Sequence, residues 1–108
     1  MRTRTGLKMV VLCLGTLVTA SAFAAGNAEA GRSKAFTCMG CHGVANYNNV
    51  YPTYHVPKLG GQHAQYLVSA LQSYKNGQRS HGTMRAQAAD LSDQDMEDIA
   101  AYFESRTE

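Results

Sequence analysis

Cys38-Met39-Gly40-Cys41-His42 is the stretch on which the rest of the chain turns. Two thiols three residues apart, followed at once by an imidazole, suit covalent capture of haem. Each cysteine can add to one vinyl group while the histidine takes an axial iron position. Three other uses of such a pair compete. A structural zinc site needs four well-spaced Cys or His ligands, and the only further cysteine, Cys13, lies in a segment expected to be removed. A thioredoxin-like dithiol wants a strand before it and a βαβ setting, whereas Gly31 to Thr37 reads as helix and no strand is expected anywhere. A plain disulfide leaves the adjacent His42 without a purpose. Haem attachment is the reading that uses all three side chains.

Upstream, Arg2, Arg4 and Lys8 precede an apolar run from Met9 to Ala20, followed by Ser21-Ala22-Phe23-Ala24-Ala25. This is the three-part grammar of a secretory signal peptide, cut near Ala24 or Ala25. The run is about 12 residues, short of the roughly 20 that a membrane-spanning helix needs. An exported domain over residues 25–108 and a signal peptide over 1–24 are therefore expected, with periplasmic localisation and no stable membrane insertion after cleavage.

Export changes the charge balance. The whole chain has a formal charge of +2, but from Ala25 onward seven Lys or Arg face eight acids. That balance implies no nucleic-acid partner. The signs are unevenly spread: Lys75, Arg79 and Arg85 precede Asp90, Asp93, Asp95, Glu97 and Asp98, a division that can orient docking to another protein. Leu, Ile, Val and Phe after Ala24 number only eleven, few for a core, and a bound haem would supply what is missing. The apoprotein is then expected to be poorly folded.

Along the mature chain, Asn27 to Thr37 reads as a first helix capped by Asn27, with Gly31 and Ala35 one turn apart on a face that admits close approach of another helix. Gly43 to Gly61 is rich in Asn, Pro and Gly and reads as a long irregular loop, of a length that suggests wrapping. Within it Tyr47, Tyr51 and Tyr54 can lay rings against a porphyrin. Gln62 to Asn76 carries Tyr66, Leu67, Ala70, Leu71 and Tyr74 at helical spacing, with Gly77 as the stop. Gln78 to Leu91 reads as irregular again and contains Met84, a soft thioether donor suited to the iron position opposite an imidazole. His81 on the same loop is its main rival, and His55 and His63 are weaker ones. In the last helix Ser92 and Asp95 form an S-x-x-D capping box, and Met96, Ile99, Ala100 and Phe103 make one buried stripe. That stripe is expected to pack across the first helix near Gly31 and Ala35.

Taken together, Cys38 to Gly43, Pro57-Lys58-Leu59-Gly60-Gly61-Gln62, Tyr66-Leu67, Met84, and Leu91 to Phe103 resemble a class I cytochrome c. The resemblance is greatest to one half of the type-four dihaem cytochromes c, or to a small monohaem relative. It implies an all-α fold of three to five helices wrapped around one covalent haem c, with the N- and C-terminal helices crossing. It further implies His42 and Met84 as axial ligands and the Pro57 carbonyl as acceptor of the free ring N–H of His42. A dihaem member needs a second C-x-x-C-H, and none is present. The function implied is single-electron transfer with redox protein partners: other cytochromes, a terminal oxidase or a dehydrogenase. Two alternatives stay open. One is a haem enzyme or gas sensor with an open sixth position; the other is an electron-transfer subunit of a larger redox enzyme.

Overall fold

The computed structural model describes residues 25–107. The expected signal peptide, residues 1–24, lies outside them. Five helices and one short hairpin follow in the order α1 (Ala28–Lys34), α2 (Phe36–His42), β1 (Asn48–Val50), β2 (Thr53–His55), α3 (Ala64–Lys75), α4 (Gly82–Ala88) and α5 (Asp93–Glu104).

Helix α1 starts because the Asn27 side chain accepts the N–H groups of Glu29 and Ala30, each at 3.0 Å, satisfying two donors that a helix start leaves orphaned. The first helix is not continuous through Thr37 as expected. At Ala35 the backbone departs from helical geometry (φ −80°, ψ 3°), and α2 sets off afresh with Cys38 bonded to the Ala35 carbonyl at 3.0 Å. A tightened i→i+3 bond of this kind re-aims the chain. Through that break, Cys38, Cys41 and His42 share one short helix of their own.

Helix α5 has the expected box: Ser92 Oγ accepts from Asp95 N at 3.1 Å, and Asp95 Oδ2 accepts from Ser92 N at 3.0 Å. Its stripe is fully buried, Met96 and Ala100 at 0% exposure and Ile99 and Phe103 at 3% or less. Ile99, Ala100 and Phe103 of that stripe form one buried cluster with Ala35 from the α1–α2 junction and Leu67 and Val68 of α3. Helix α1 crosses α5 so closely that a Cβ at Gly31 would stand 1.9 Å from the Asp98 carbonyl oxygen. The expected crossing of first and last helices is what Gly31 permits.

A polar clasp locks the same crossing. Lys34 Nζ reaches Asp95 Oδ1 at 2.8 Å and Asp98 Oδ2 at 2.6 Å. The other Asp98 oxygen accepts from Asn27 N at 2.8 Å and from Gln94 Nε2 at 2.9 Å. Asp98 is buried, so every one of these donors replaces a lost water. The Asn27 N–H, then Lys34 and Gln94, hold the Asp98 carboxyl down from 3.8 to about 2. Lys34 and then Ser92 hold Asp95 below the ordinary carboxylate range. Carboxyls depressed by folding stabilise the fold above their unfolded pKa and lose that contribution as pH falls through the folded one. The unfolding midpoint is therefore expected to be steady above about pH 5 and to drop as pH falls from about 4 toward about 2. Asp98→Asn should be less stable than wild type at neutral pH, with the gap closing at about pH 2; thermal melts across that range check this.

Two stretches expected to be irregular contain structure. Within 43–61, β1 and β2 pair antiparallel with Asn48 opposite His55, Asn49 opposite Tyr54 and Val50 opposite Thr53. The connection at Tyr51 and Pro52 is closed by Asn49 Nδ2 donating to Pro52 O at 2.6 Å and Thr53 Oγ1 donating to Val50 O at 2.8 Å. Within 78–91, α4 forms because His81 caps it. Helix α3 ends as expected: Asn76 is its cap and Gly77 follows at φ 81°, the left-handed conformation that glycine adopts at no steric cost.

Candidate functional site

One cavity of about 370 Å³ collects nearly all the chemistry the sequence offers. Helix α2 brings Cys38, Cys41 and His42 to its wall. Helix α4 brings Met84. The segment after β2 supplies Val56 and Pro57, and Tyr54 leans in from β2 itself. The α3 face, Tyr66, Leu67, Ala70, Leu71 and Tyr74, lines one side, while Ile99 and Phe103 of α5 close the floor. The five α3 residues are those whose spacing marked a helix stripe, and this cavity is what the stripe faces.

His42 is oriented by a single bond. Its Nδ1 lies 2.7 Å from the Pro57 carbonyl oxygen. A carbonyl only accepts, so Nδ1 carries the proton and the Nε2 lone pair is left for a metal, an arrangement typical of ligating histidines. Cys38 and Cys41 are free thiols. Burial pushes the Cys38 thiol up, in keeping with an apolar wall.

The methionines separate cleanly among the described residues. Met84 lines the cavity. Met39 faces the other way, its sulfur 3.6 Å from an Arg106 nitrogen, and Arg106 in turn bonds Tyr102 Oη at 2.8 Å. Met96 is sealed in the core at 0% exposure. Of the rival histidines, His55 and His81 line the cavity and His63 does not. His63 sits at the start of α3 with its side chain 89% exposed. His55 Nδ1 contacts Asn48 Oδ1 at 3.1 Å, and His81 Nδ1 accepts the Met84 N–H at 3.4 Å.

Only one of the three loop tyrosines reaches the cavity. Tyr51 stands at the hairpin turn, 96% exposed, because the turn of a two-stranded ribbon has no neighbouring element to cover it. Tyr47 precedes β1 and contributes its carbonyl, which accepts Val56 N–H at 3.0 Å, while its ring is not part of the lining. Tyr54 is brought in by the register of β2.

The lining also includes Arg79, which had no signal beyond its charge. Its guanidinium lies 5.2 Å from the Tyr74 ring centroid and 5.9 Å from that of Tyr66, and donates to Tyr66 Oη at 3.2 Å. Lys75 donates to the Leu91 carbonyl at 2.5 Å. Two of the three basic residues expected to form a docking patch are thus engaged with the fold as well.

The residues present fit a haem. Two free thiols, an imidazole with its outer nitrogen unoccupied and a thioether share one apolar-walled space with Tyr54. Among the described residues no group of three or more His, Cys, Asp or Glu gathers that could hold a metal ion.

Residues 28–107 match the family model for cytochrome c. Cytochrome c4 of Pseudomonas aeruginosa is 45% identical over 100 residues, covering 92% of this chain and 48% of that protein. Cytochrome c-554(548) of Halomonas halodenitrificans is 45% identical over 85 residues, covering 76% of this chain and 99% of that protein. Among solved structures, reduced recombinant cytochrome c4 from Pseudomonas stutzeri superposes with a TM-score of 0.60 at 30% identity, over 78% of this chain and 53% of that one. The chain spans about half the length of the cytochromes c4 that it matches.

Proposed function

The chain belongs to the cytochrome c family, and from that membership we propose that it is a periplasmic monohaem carrier of single electrons. In this reading Cys38 and Cys41 would hold haem c through thioether bonds, and His42 and Met84 would ligate its iron. The observation that carries it is the convergence of these four side chains on one cavity, with His42 Nδ1 already committed to Pro57. A single-domain carrier is supported by the Halomonas relative, almost the whole of which corresponds to one copy of this domain. Export rests on the leader read in residues 1–24, and no helix among the described residues is long and apolar enough to cross a membrane.

A bound haem c supplies reversible one-electron exchange. Everything else falls to the chain. His42, anchored through Pro57 O, presents a fixed Nε2, and that second-sphere bond raises its basicity as a ligand. Met84 offers a soft sulfur that favours the reduced state and raises the potential. With His42 and Met84 both holding the iron, no position would be left for a substrate to enter. Leu67, Leu71, Ile99 and Phe103 exclude water from the walls, which penalises the more highly charged oxidised state. In this reading Tyr54 packs against the cofactor, a role supported by its place in the cavity lining, which Tyr47 and Tyr51 do not share. Docking to a redox protein partner, whether another cytochrome, an oxidase or a dehydrogenase, is expected to be weak and transient, with Arg79 and Arg85 on the Met84 side as its positive groups.

A potentiometric titration tests the carrier role. A single one-electron wave, with the haem retained by the protein in acidified organic solvent and no turnover with peroxide, is expected. A ferric protein that binds and consumes peroxide would move the haem-enzyme reading ahead.

A further inference from the structure

Helix α4, which carries Met84, has seven residues, too few to persist on backbone bonds alone. What fixes its start is His81. The His81 backbone is extended (φ −156°, ψ 108°), its carbonyl accepts the Arg85 N–H at 2.8 Å, and its Nδ1 accepts the Met84 N–H at 3.4 Å. Histidine is not among the strong capping residues, because a free imidazole has many orientations and only a few reach the orphan N–H groups. Here the ring is not free. Tyr54 of β2 meets it edge-on, centroids 4.6 Å apart at 83°, and Tyr74 of α3 does so at 6.5 Å and 76°. Tyr54 Oη also lies 3.3 Å from Thr83 Oγ1, one residue before Met84. Two separate elements, β2 and α3, therefore converge on the first turn of α4, and Tyr54, Tyr74, His81, Thr83 and Met84 all line the same cavity.

We infer that His81 is the positioning residue for Met84: held between Tyr54 and Tyr74, it caps α4 and keeps Met84 in the cavity wall against competing iron ligands. The inference rests on Met84 being the axial ligand. It also gives His81 an occupation other than ligation: with Nδ1 accepting the Met84 N–H, the neutral ring carries its proton on Nε2 and neither nitrogen offers iron a lone pair. Removing the imidazole frees the first turn of α4 to fray, and each fraying event lets Met84 leave.

Cyanide binding to the ferric, haem-loaded chain reads this directly, because cyanide enters only when Met84 is away. His81→Ala is expected to speed cyanide capture roughly fivefold to tenfold, the worth of a lost helix cap, and His81→Asn to return it to within about twofold of wild type. Ser92→Ala removes a comparable cap from α5, a helix that does not carry Met84, and should leave the rate unchanged. The inference is overturned if His81→Ala captures cyanide at the wild-type rate, if His81→Asn is as fast as His81→Ala, or if Ser92→Ala accelerates capture equally. Failure of the premise looks different: Met84→Ala would then leave the ferric spectrum as it was.

Discussion

A chain with Cys38→Ala and Cys41→Ala, purified without haem, should not fold to a unique structure. The cavity that these residues border is about 370 Å³, and an unfilled space costs about 24 cal/mol per Å³, or about 9 kcal/mol as an upper value since the mouth admits water. A domain of this size has a total stability of roughly 4 to 12 kcal/mol. The loss is thus of the same order as everything that holds the fold together. The described core is small: nine hydrophobic residues are buried, three of them alanines. Helical far-ultraviolet dichroism without a near-ultraviolet signal, and a broad melt without a sharp midpoint, are expected. A cooperative transition at the wild-type midpoint would show that the protein core suffices without its cofactor.

Gly31→Val is the second large effect. The first atom of any side chain at this position meets the Asp98 carbonyl oxygen at 1.9 Å and Tyr102 Cβ at 2.9 Å. Neither obstacle can swing aside, because one is backbone inside α5 and the other is the fixed root of a side chain. Helix α1 must lift away, taking with it the Asn27 N–H and the Lys34 ammonium that serve Asp98. Overpacking alone costs about 1 to 3 kcal/mol, and a buried carboxylate stripped of its donors adds to it. A drop in melting temperature of at least about 12 °C is expected, from about 3 kcal/mol at about 4 °C or more per kcal/mol in a domain this small. A Gly31→Val protein melting within a few degrees of wild type would mean that the helix crossing is looser than the structure has it.

What could be read from the sequence was what depends on neighbours in the chain. Asn27, Ser92 and Asp95 cap helices through bonds two or three residues long, so their residue types suffice. The haem-binding pentapeptide is legible because its three reactive side chains lie within five residues. Gly31 and Ala35 gave away the helix crossing because only small residues let two backbones approach. The hairpin was invisible: Asn48–Val50 and Thr53–His55 have three residues each, and it is cross-strand register that makes them strands. That same register decides which loop tyrosine turns inward, so Tyr54 could not be told from Tyr47 and Tyr51. Helix α4 was missed because glycine opens it and histidine caps it, and His81 serves as a cap only once Tyr54 and Tyr74 have fixed its ring. Arg79, in the loop after α3, likewise joins the cavity wall through the α3 tyrosines Tyr66 and Tyr74.

The assignment on which the proposed function depends is the pair of axial ligands, and the optical spectra of the ferric and ferrous protein test it most directly. Thioether-linked haem with the weak long-wavelength band of sulfur on ferric iron, lost in Met84→Ala, is the expected result. A high-spin ferric spectrum that takes up added ligands readily, or a methionine band unchanged by Met84→Ala, would contradict it.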